Sequence, residues 1–313
     1  YLSGGPKTSI RLVSVGGLPA VRSVERGIES RLAGGDFLRA SWDTVRELTD
    51  MGSMQQLYRQ ELIDLAPQGL SGMTATVKGS DYECVRLLSS VLTTMGCVPS
   101  AREGEGIRLH IGAQGRRLSL HSEEYGYLWP EQALALCCLI ELEAGRDVAV
   151  PYDAPLVLEE IAEKYERRVR RYYDCPAGKG DEEARKLACS QLWARDGLMM
   201  AVKLLYYMKT RRLSLAELAA RLPGFAVATK TIPCTDNPGR ILRRLSEGGE
   251  LVETGEGARI RLKKGSLLIR PSKRGKKLTL TAEAPDTEMA AELCGELEKR
   301  LNTVFLDMSD ETK

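Results

Sequence analysis

Residues 267–284 read "LLIRPSKRGKKLTLTAEA", and this stretch decides how the C-terminal part of the chain folds. A short apolar run leads into a loop of serine and basic residues. Beyond the loop, alternation places Leu278, Leu280, Ala282 and Ala284 on one side. Alternation with a period of two is typical of a strand with one buried face. The stretch therefore predicts two antiparallel strands joined by a cationic loop.

The loop of this hairpin concentrates groups that suit an anion. Arginine offers a planar fork of N–H donors, serine a hydroxyl, and a tight loop its backbone N–H groups. Residues 259–277 hold nine basic side chains and no acidic one. Three interpretations stay open: a phosphate site, a contact with nucleic acid, and a solvated cationic hairpin. The candidate phosphate-binding residues are Arg270, Ser272, Lys273, Arg274 and Lys276.

The composition is that of a globular protein with an ordinary core. Of the 313 residues, 43% are hydrophobic and 28% are charged, and the net charge is +2. Only 5% are aromatic, which leaves few rings to stack on bases, so nucleic acid is an unfavoured partner. No apolar run reaches the roughly 18 residues of a membrane span. We therefore expect no association with a membrane and no signal peptide before Tyr1.

The eight cysteines show no pattern of metal ligands or disulfides. They contain no C-x-x-C pair, and only His110 and His121 are available to complete a zinc site. Scattered thiols of this kind are typical of a reducing compartment. We therefore expect reduced cysteines, no metal at these residues, and a cytoplasmic protein.

Four segments of the chain differ in their pattern of strands and helices. Residues 1–66 open with a strand and continue as helices, whereas 67–147 and 148–222 each alternate strands with helices. Such alternation predicts α/β layering. Residues 223–313 combine short strands with helices, which predicts an antiparallel sheet backed by helices. The expected fold class is α/β plus α+β, with two mixed-sheet α/β units and a C-terminal α+β domain built on an antiparallel sheet.

The order of these segments resembles the phosphohexomutases, the superfamily of phosphomannomutase and phosphoglucomutase. "VERGIESRLAGGDFLRA" is similar to the end of that family's first domain, and "GRRLSLHSEEYG" with "PEQALAL" to its second. "DVAVPYDAPLVLEEIAEKY" with "DGLMMAVKLL" resembles the third domain, and "PGRILRRLSE" with the opening stretch resembles the fourth. The sequence of the first stretch most resembles the mutase-like C-terminal part of fused sugar-nucleotide pyrophosphorylases of the mannose-1-phosphate guanylyltransferase type. The resemblance implies a remnant of domain I in 1–66, domain II in 67–147, domain III in 148–222 and the phosphate-loop domain IV in 223–313.

The resemblance also implies four loops at one cleft, and the chain departs from most of them. It has neither the T-A-S-H-N-P loop that carries the family's phosphoserine nor the G-E-x-S-G-H loop that grips sugar hydroxyls. The family's D-x-D-x-D-R loop holds Mg²⁺ by three carboxylates, since a hard cation prefers oxygen ligands. The matching positions here are Gly112, Gln114 and Arg116, and only Arg117 is kept. We therefore expect no catalytic residue, no Mg²⁺ and no other cofactor.

The family's phosphate loop, R-P-S-G-T-E-P, is the best kept of the four. Arg270, Pro271 and Ser272 agree with it, while basic residues replace its Thr and Glu. The resemblance therefore implies an anion site with more positive charge and less discrimination between sugars than in the family.

Two functions follow from the resemblance and a third from the basic stretch. The first is a non-catalytic module that serves sugar-phosphate binding, regulation or assembly of a sugar-nucleotide pyrophosphorylase, with a hexose phosphate and an upstream nucleotidyltransferase domain as partners. The second is an active phosphohexomutase whose nucleophile lies upstream of Tyr1, although truncation does not explain Arg116. The third is nucleic-acid or anion binding through 259–277, with an affinity that falls steeply with salt.

Overall fold

A computed structural model of the chain describes residues 2–3, 9–10, 12–14, 16–36, 39, 41–44, 52–100, 104–173, 180–234, 240–241, 253–254, 256–263, 265–272 and 277–310. The N-terminal region contains two short paired strands and two helices. These are β1 (Leu2–Ser3), β2 (Ser9–Ile10), α1 (Arg22–Gly34) and α2 (Gly52–Asp64). The strand predicted at the start of 1–66 is confirmed at Ser9–Ile10 among the described residues, and a bridge between Val13 and Pro19 follows it.

The next region is a four-stranded mixed sheet with two helices, as the alternating pattern predicts. Its elements are β3 (Ala75–Gly79), α3 (Tyr82–Thr94), β4 (Ile107–Ile111), β5 (Leu118–Ser122), β6 (Gly126–Leu128) and α4 (Pro130–Glu143). The strand order is β3-β4-β5-β6, in which β3 and β4 are parallel and the other two pairs antiparallel. Asp81 caps α3 by accepting a 3.2 Å hydrogen bond from the Cys84 N–H.

The third region repeats the strand–helix–strand pattern with a parallel pair. It comprises β7 (Val148–Pro151), α5 (Val157–Lys164), β8 (Val169–Tyr172), α6 (Glu182–Ser190), α7 (Gly197–Arg211) and α8 (Leu215–Ala219). One hydrophobic core runs from Leu62 to Phe225 through this region and the preceding one. The division between 67–147 and 148–222 therefore stays a prediction, because the two segments share a core.

The C-terminal region is an antiparallel sheet backed by a long helix. It contains β9 (Ala226–Pro233), β10 (Glu253–Thr254), β11 (Ala258–Leu262), β12 (Gly265–Pro271), β13 (Lys277–Ala284) and α9 (Thr287–Asp310). The strand order is β10-β11-β12-β13-β9, and every pair is antiparallel. The helix predicted over "PGRILRRLSEG" lies outside the described residues except at 240–241.

This sheet has a core of its own, separate from the first. It includes Ile260, Leu267, Ile269, Leu278 and Leu280, together with Leu297 and Leu301 of α9. The alternation that predicted the β12–β13 hairpin is confirmed, since Leu278, Leu280, Ala282 and Ala284 are all at most 2% exposed. The fold class predicted from the sequence is thus confirmed. No described helix is long and apolar enough to cross a membrane.

Candidate functional site

The C-terminal sheet has a polar face opposite its core, and this face carries the basic residues of the opening stretch. The register pairs Arg259 with Leu268, Arg270 with Thr279, and Ser266 with Glu283. Because side chains alternate along a strand, these residues point away from α9. They lie against the loop 152–156, which joins β7 to α5, and the start of α5.

Arg270 is held by two carboxylates from different parts of the chain. Its Nη1 donates to the Asp153 carboxylate, 117 residues away in sequence. Its Nη2 donates to Oε2 of Glu256 at 3.2 Å. The Arg270 side chain is 18% exposed, compared with 39% for Asp153 and 10% for Glu256. The best-kept residue of the predicted phosphate loop therefore already binds anionic groups of the protein itself.

Arg259 is buried at the same interface. It is 2% exposed, its Nη2 donates to the Tyr152 carbonyl, and its guanidinium carbon lies 5.0 Å from the centre of the Tyr152 ring. A guanidinium over an aromatic face gains electrostatic attraction, and a buried one needs such partners to offset the loss of water. Arg259 thus fixes the first residue of the loop 152–156 to the C-terminal sheet.

Glu283, on the same face of the C-terminal sheet, caps helix α5. Its carboxylate accepts hydrogen bonds from the N–H groups of Leu156 at 2.6 Å and Val157 at 2.8 Å. The first N–H groups of a helix have no partner within the helix and carry a partial positive charge, so a carboxylate stabilises them. The loop is also held from within its own region by Arg171, which donates to the carbonyls of Ala154 at 2.6 Å and Pro155 at 2.8 Å.

The structure places only part of the predicted phosphate loop. The Ser272 N–H donates to the Lys277 carbonyl at 2.9 Å, which closes the hairpin. Lys273, Arg274 and Lys276 lie outside the described residues. Arg270 and Ser272 are therefore the two predicted phosphate-binding residues with a described environment.

The loop predicted to match the family's metal motif is a tight connection between β4 and β5. The Gly112 N–H donates to the Arg117 carbonyl at 2.9 Å, and the Gly115 N–H to the Gly112 carbonyl at 3.1 Å. Gln114 has a φ of 63°, in the left-handed region. Arg117 is turned to Glu131, with 3.3 Å between Nη1 and Oε1. Positions 112, 114 and 116 offer one amide, one guanidinium and no carboxylate.

A small cleft of about 250 Å³ lies beside this loop, lined by Gln114, Tyr58, Cys84 and Asp196 among others. The Tyr58 hydroxyl donates to Oδ2 of Asp196 at 2.7 Å, while Oδ1 accepts from the Leu198 and Met199 N–H groups at 2.9 and 3.0 Å. Asp196 is thereby the N-cap of α7. Its capping role and its bond to Tyr58 use both of its oxygens.

Burial dominates the proton affinities in this cleft. It raises the pKa of Asp196 above its ordinary value, despite the hydrogen bonds that the carboxylate accepts. Burial and the neighbouring Asp196 raise the pKa of Tyr58, and burial with Asp81 raises the pKa of Cys84 to about 11. The cleft therefore holds a phenol and a thiol that stay protonated at neutral pH. Among the described residues, no group of three or more His, Cys, Asp or Glu side chains is arranged to hold a metal ion.

Sequence reasoning missed the partners of the arginines. Asp153, Glu256 and Glu283 were not singled out, because each lies far along the chain from its partner or outside the basic stretch. The available signal was the position of Glu283, a lone carboxylate on the polar side of a strand whose other side is apolar. A charge at such a place needs a partner once the face is covered.

Comparisons with known proteins agree with the predicted family. No protein-family model matches the chain. A Methanopyrus kandleri protein described as "probable phosphoglucosamine mutase" is 24% identical over an alignment of 318 residues, which covers 86% of this chain and 70% of that protein. A phosphoglucomutase/phosphomannomutase family protein of Burkholderia thailandensis superposes with a TM-score of 0.67 at 14% identity. The superposition covers 92% of this chain and 71% of the Burkholderia chain.

The fold is therefore that of the α-D-phosphohexomutases, and the resemblance inferred from the sequence is confirmed. A further structural neighbour is the N-acetylphosphoglucosamine mutase of Aspergillus fumigatus, solved in complex with glucose 1,6-bisphosphate. It has a TM-score of 0.53 and 11% identity over 80% of this chain and 64% of its own. The chain spans about two thirds of the length of these proteins. The closer resemblance to fused pyrophosphorylases stays a prediction.

Proposed function

We propose that the chain is a degenerate phosphohexomutase-like module that does not catalyse the mutase reaction. It serves sugar-phosphate binding, regulation or assembly of a sugar-nucleotide pyrophosphorylase. The observation that carries this proposal is the loop 112–117, where glycine, glutamine and arginine occupy the positions that correspond to three carboxylates in the family.

These residues do not fit Mg²⁺. A divalent cation of this kind is bound through carboxylate and carbonyl oxygens and water. Arg116 adds a positive charge instead, and Gln114 supplies a neutral amide. Asp196, which lies beside the loop, already accepts hydrogen bonds with both oxygens. Phosphoryl transfer depends on positioned charge for most of its acceleration, so the loss of the metal site removes a principal source of catalysis.

The proposed ligand is a hexose phosphate. Arg270 and Ser272 are kept from the family's phosphate loop, and the Aspergillus relative was solved with a hexose bisphosphate. Arginine binds phosphate oxygens through two parallel N–H donors, which supports Arg270 as the central contact. Lys273, Arg274 and Lys276 are proposed to add positive charge around it.

The metal part of the proposal is tested by restoring the carboxylates. Calorimetric titration of Mg²⁺ into the chain is compared with the variant Gly112→Asp/Gln114→Asp/Arg116→Asp, and with Arg86→Asp, which introduces a carboxylate at an exposed helix position. We expect no saturable Mg²⁺ binding by the chain or by Arg86→Asp, and binding by the triple variant. Saturable Mg²⁺ binding by the unmodified chain, removed by Gln114→Ala, would contradict the proposal.

The ligand part is tested by titrating mannose 1-phosphate and glucose 1-phosphate, with and without Mg²⁺, beside Arg270→Ala. We expect binding that is independent of Mg²⁺ and lost in the variant, with no conversion of 1-phosphate to 6-phosphate. Conversion by this chain, even at a low rate, would favour an active phosphohexomutase over the non-catalytic module.

The proposed partner is a nucleotidyltransferase domain, and the proposed location is the cytoplasm. The partner rests on the resemblance of "VERGIESRLAGGDFLRA" to fused pyrophosphorylases, and the location on the scattered thiols. A mannose-1-phosphate guanylyltransferase domain is mixed with the chain and its turnover measured. An unchanged turnover and no co-elution would reject this partner.

A further inference from the structure

We infer that Asp153 and Glu256 form a carboxylate latch on Arg270, which an incoming phosphate group must displace, so that ligand binding frees Asp153 within the loop 152–156. This inference rests on the hexose-phosphate site proposed above and concerns its regulation.

The latch uses the donors that a phosphate would need. Nη1 of Arg270 is directed at Asp153, and Nη2 at Glu256 with a separation of 3.2 Å. A bidentate contact with phosphate requires two N–H groups of the same fork. Carboxylate and phosphate groups both present anionic oxygens, which compete for these hydrogens. Binding to Arg270 is therefore an exchange of anions, and its affinity depends on how strongly the latch is held.

The latch is also the accessible edge of the interface. The Asp153 side chain is 39% exposed. Arg259 and Glu283 are buried, with 2% and 8% of the whole residue exposed. An anion from solvent can reach Asp153 and Arg270 without separating the buried contacts. Arg259 at Tyr152 and Glu283 at Leu156 and Val157 hold the loop on either side of Asp153. Release of the latch thus frees the Asp153 side chain, while Arg171 still holds Ala154 and Pro155 and the loop stays attached to the C-terminal sheet.

The latch also selects for charge. It places two carboxylates around one guanidinium, so a ligand that displaces both must bring comparable negative charge. A phosphate monoester carries close to two charges at neutral pH. A phosphodiester carries one, and its exchange for the latch is less favourable. The structure therefore favours hexose monophosphates over phosphodiesters.

The test weakens the latch without touching Arg270. Glucose 1-phosphate, mannose 1-phosphate and inorganic phosphate are titrated into the chain and into Asp153→Asn, Glu256→Gln and the double variant. Glu160→Gln is the matched control, because Glu160 is an exposed carboxylate on α5 that pairs with Lys164 at 3.4 Å. Arg270→Ala, alone and in the double variant, shows that the ligand binds at the latch.

We expect the double variant to bind hexose phosphate about tenfold more tightly, as the removal of two competing ion pairs implies. Glu160→Gln should bind like the unmodified chain, and Arg270→Ala should not bind. Amide exchange in 152–156 should rise on ligand binding in the unmodified chain and be high already in the double variant. Equal affinity of the unmodified chain and the double variant would overturn the latch and leave the phosphate site intact. Absence of binding in every variant would overturn the site and the latch together.

Discussion

Glu283 supports a specific prediction about how the C-terminal sheet is attached. Replacing it by alanine removes the acceptor of two backbone N–H groups, that of Leu156, which is partly buried, and that of Val157, which is buried. An unsatisfied buried donor costs about 1–3 kcal/mol, and loss of a helix cap costs about 0.5–2 kcal/mol. These costs overlap, because the N–H groups are the ones that the cap satisfies. We therefore expect Glu283→Ala to lower the free energy of unfolding by about 2–4 kcal/mol, and Glu283→Gln, which keeps one oxygen, by about half of that.

The measurement is urea unfolding followed by circular dichroism, with hydrogen exchange of the Leu156 and Val157 amides as a local readout. Glu292→Ala is the control, since Glu292 is an exposed carboxylate on α9 of the same domain and should change stability by less than about 0.5 kcal/mol. Because Glu283 joins the domain to α5, its loss should separate the unfolding of the C-terminal sheet from that of the rest. A Glu283→Ala variant as stable as Glu292→Ala, with both amides still protected, would refute the capping argument.

Three further predictions concern buried polar groups. Because burial raises the pKa of Asp196, the folded state still binds a proton just above pH 4, where the unfolded state has lost it, so this group makes the free energy of unfolding fall as pH rises through that range. Asp196→Asn should remove this pH dependence. In parallel denaturation curves, the stability of the variant relative to the unmodified chain should be higher at pH 7 than at pH 4. Cys84, with a pKa raised to about 11, should react with iodoacetamide at pH 7.5 about 100-fold more slowly than a free thiol, and a rate near that of free cysteine would contradict the raised pKa. Arg259→Lys should lower the free energy of unfolding by about 1–3 kcal/mol, because lysine lacks the planar fork. The control is Arg261→Lys, which should lower it by less than about 0.5 kcal/mol, because the Arg261 side chain is 47% exposed. Equal losses of stability in thermal denaturation would show that the burial of Arg259 is unimportant.

The sequence predicted the elements of this fold better than their contacts. Alternation identified the β12–β13 hairpin and its buried face, because the period of a strand is a local property of the chain. Arg259 and Arg270 share the opposite face in the structure, but the alternation assigned neither of them to it. It carried no information about what covers that face, since the covering loop belongs to another region.

The basic stretch shows why a run of charges is a poor guide to an anion site. Between 259 and 277 every charged side chain is positive, which suggested phosphate, nucleic acid or solvent as the counterpart. The described arginines instead meet carboxylates and carbonyls that lie elsewhere in the chain: Asp153 is 117 residues from Arg270, and Arg259 donates to a carbonyl 107 residues away. Local charge is compensated only after folding, and the net charge of +2 for the whole chain was consistent with this.

The compensation also bears on the proposal that the chain is a degenerate mutase-like module. Arg270 agrees with the family's phosphate loop, yet in this structure it joins the loop 152–156 to the C-terminal sheet. An arginine that stabilises such an interface has a structural role even when no ligand binds. In the proposed non-catalytic module the metal loop has no such second use: three carboxylates would repel one another without a cation, and Gly112, Gln114 and Arg116 avoid that repulsion. Kept and lost motif residues therefore differ in whether the folded chain itself supplies them with a partner. On this argument, the match of Arg270 to a family motif is only weak support for phosphate binding. Stronger support would be a measured affinity for phosphate that is lost in Arg270→Ala and increased when Asp153 and Glu256 are replaced.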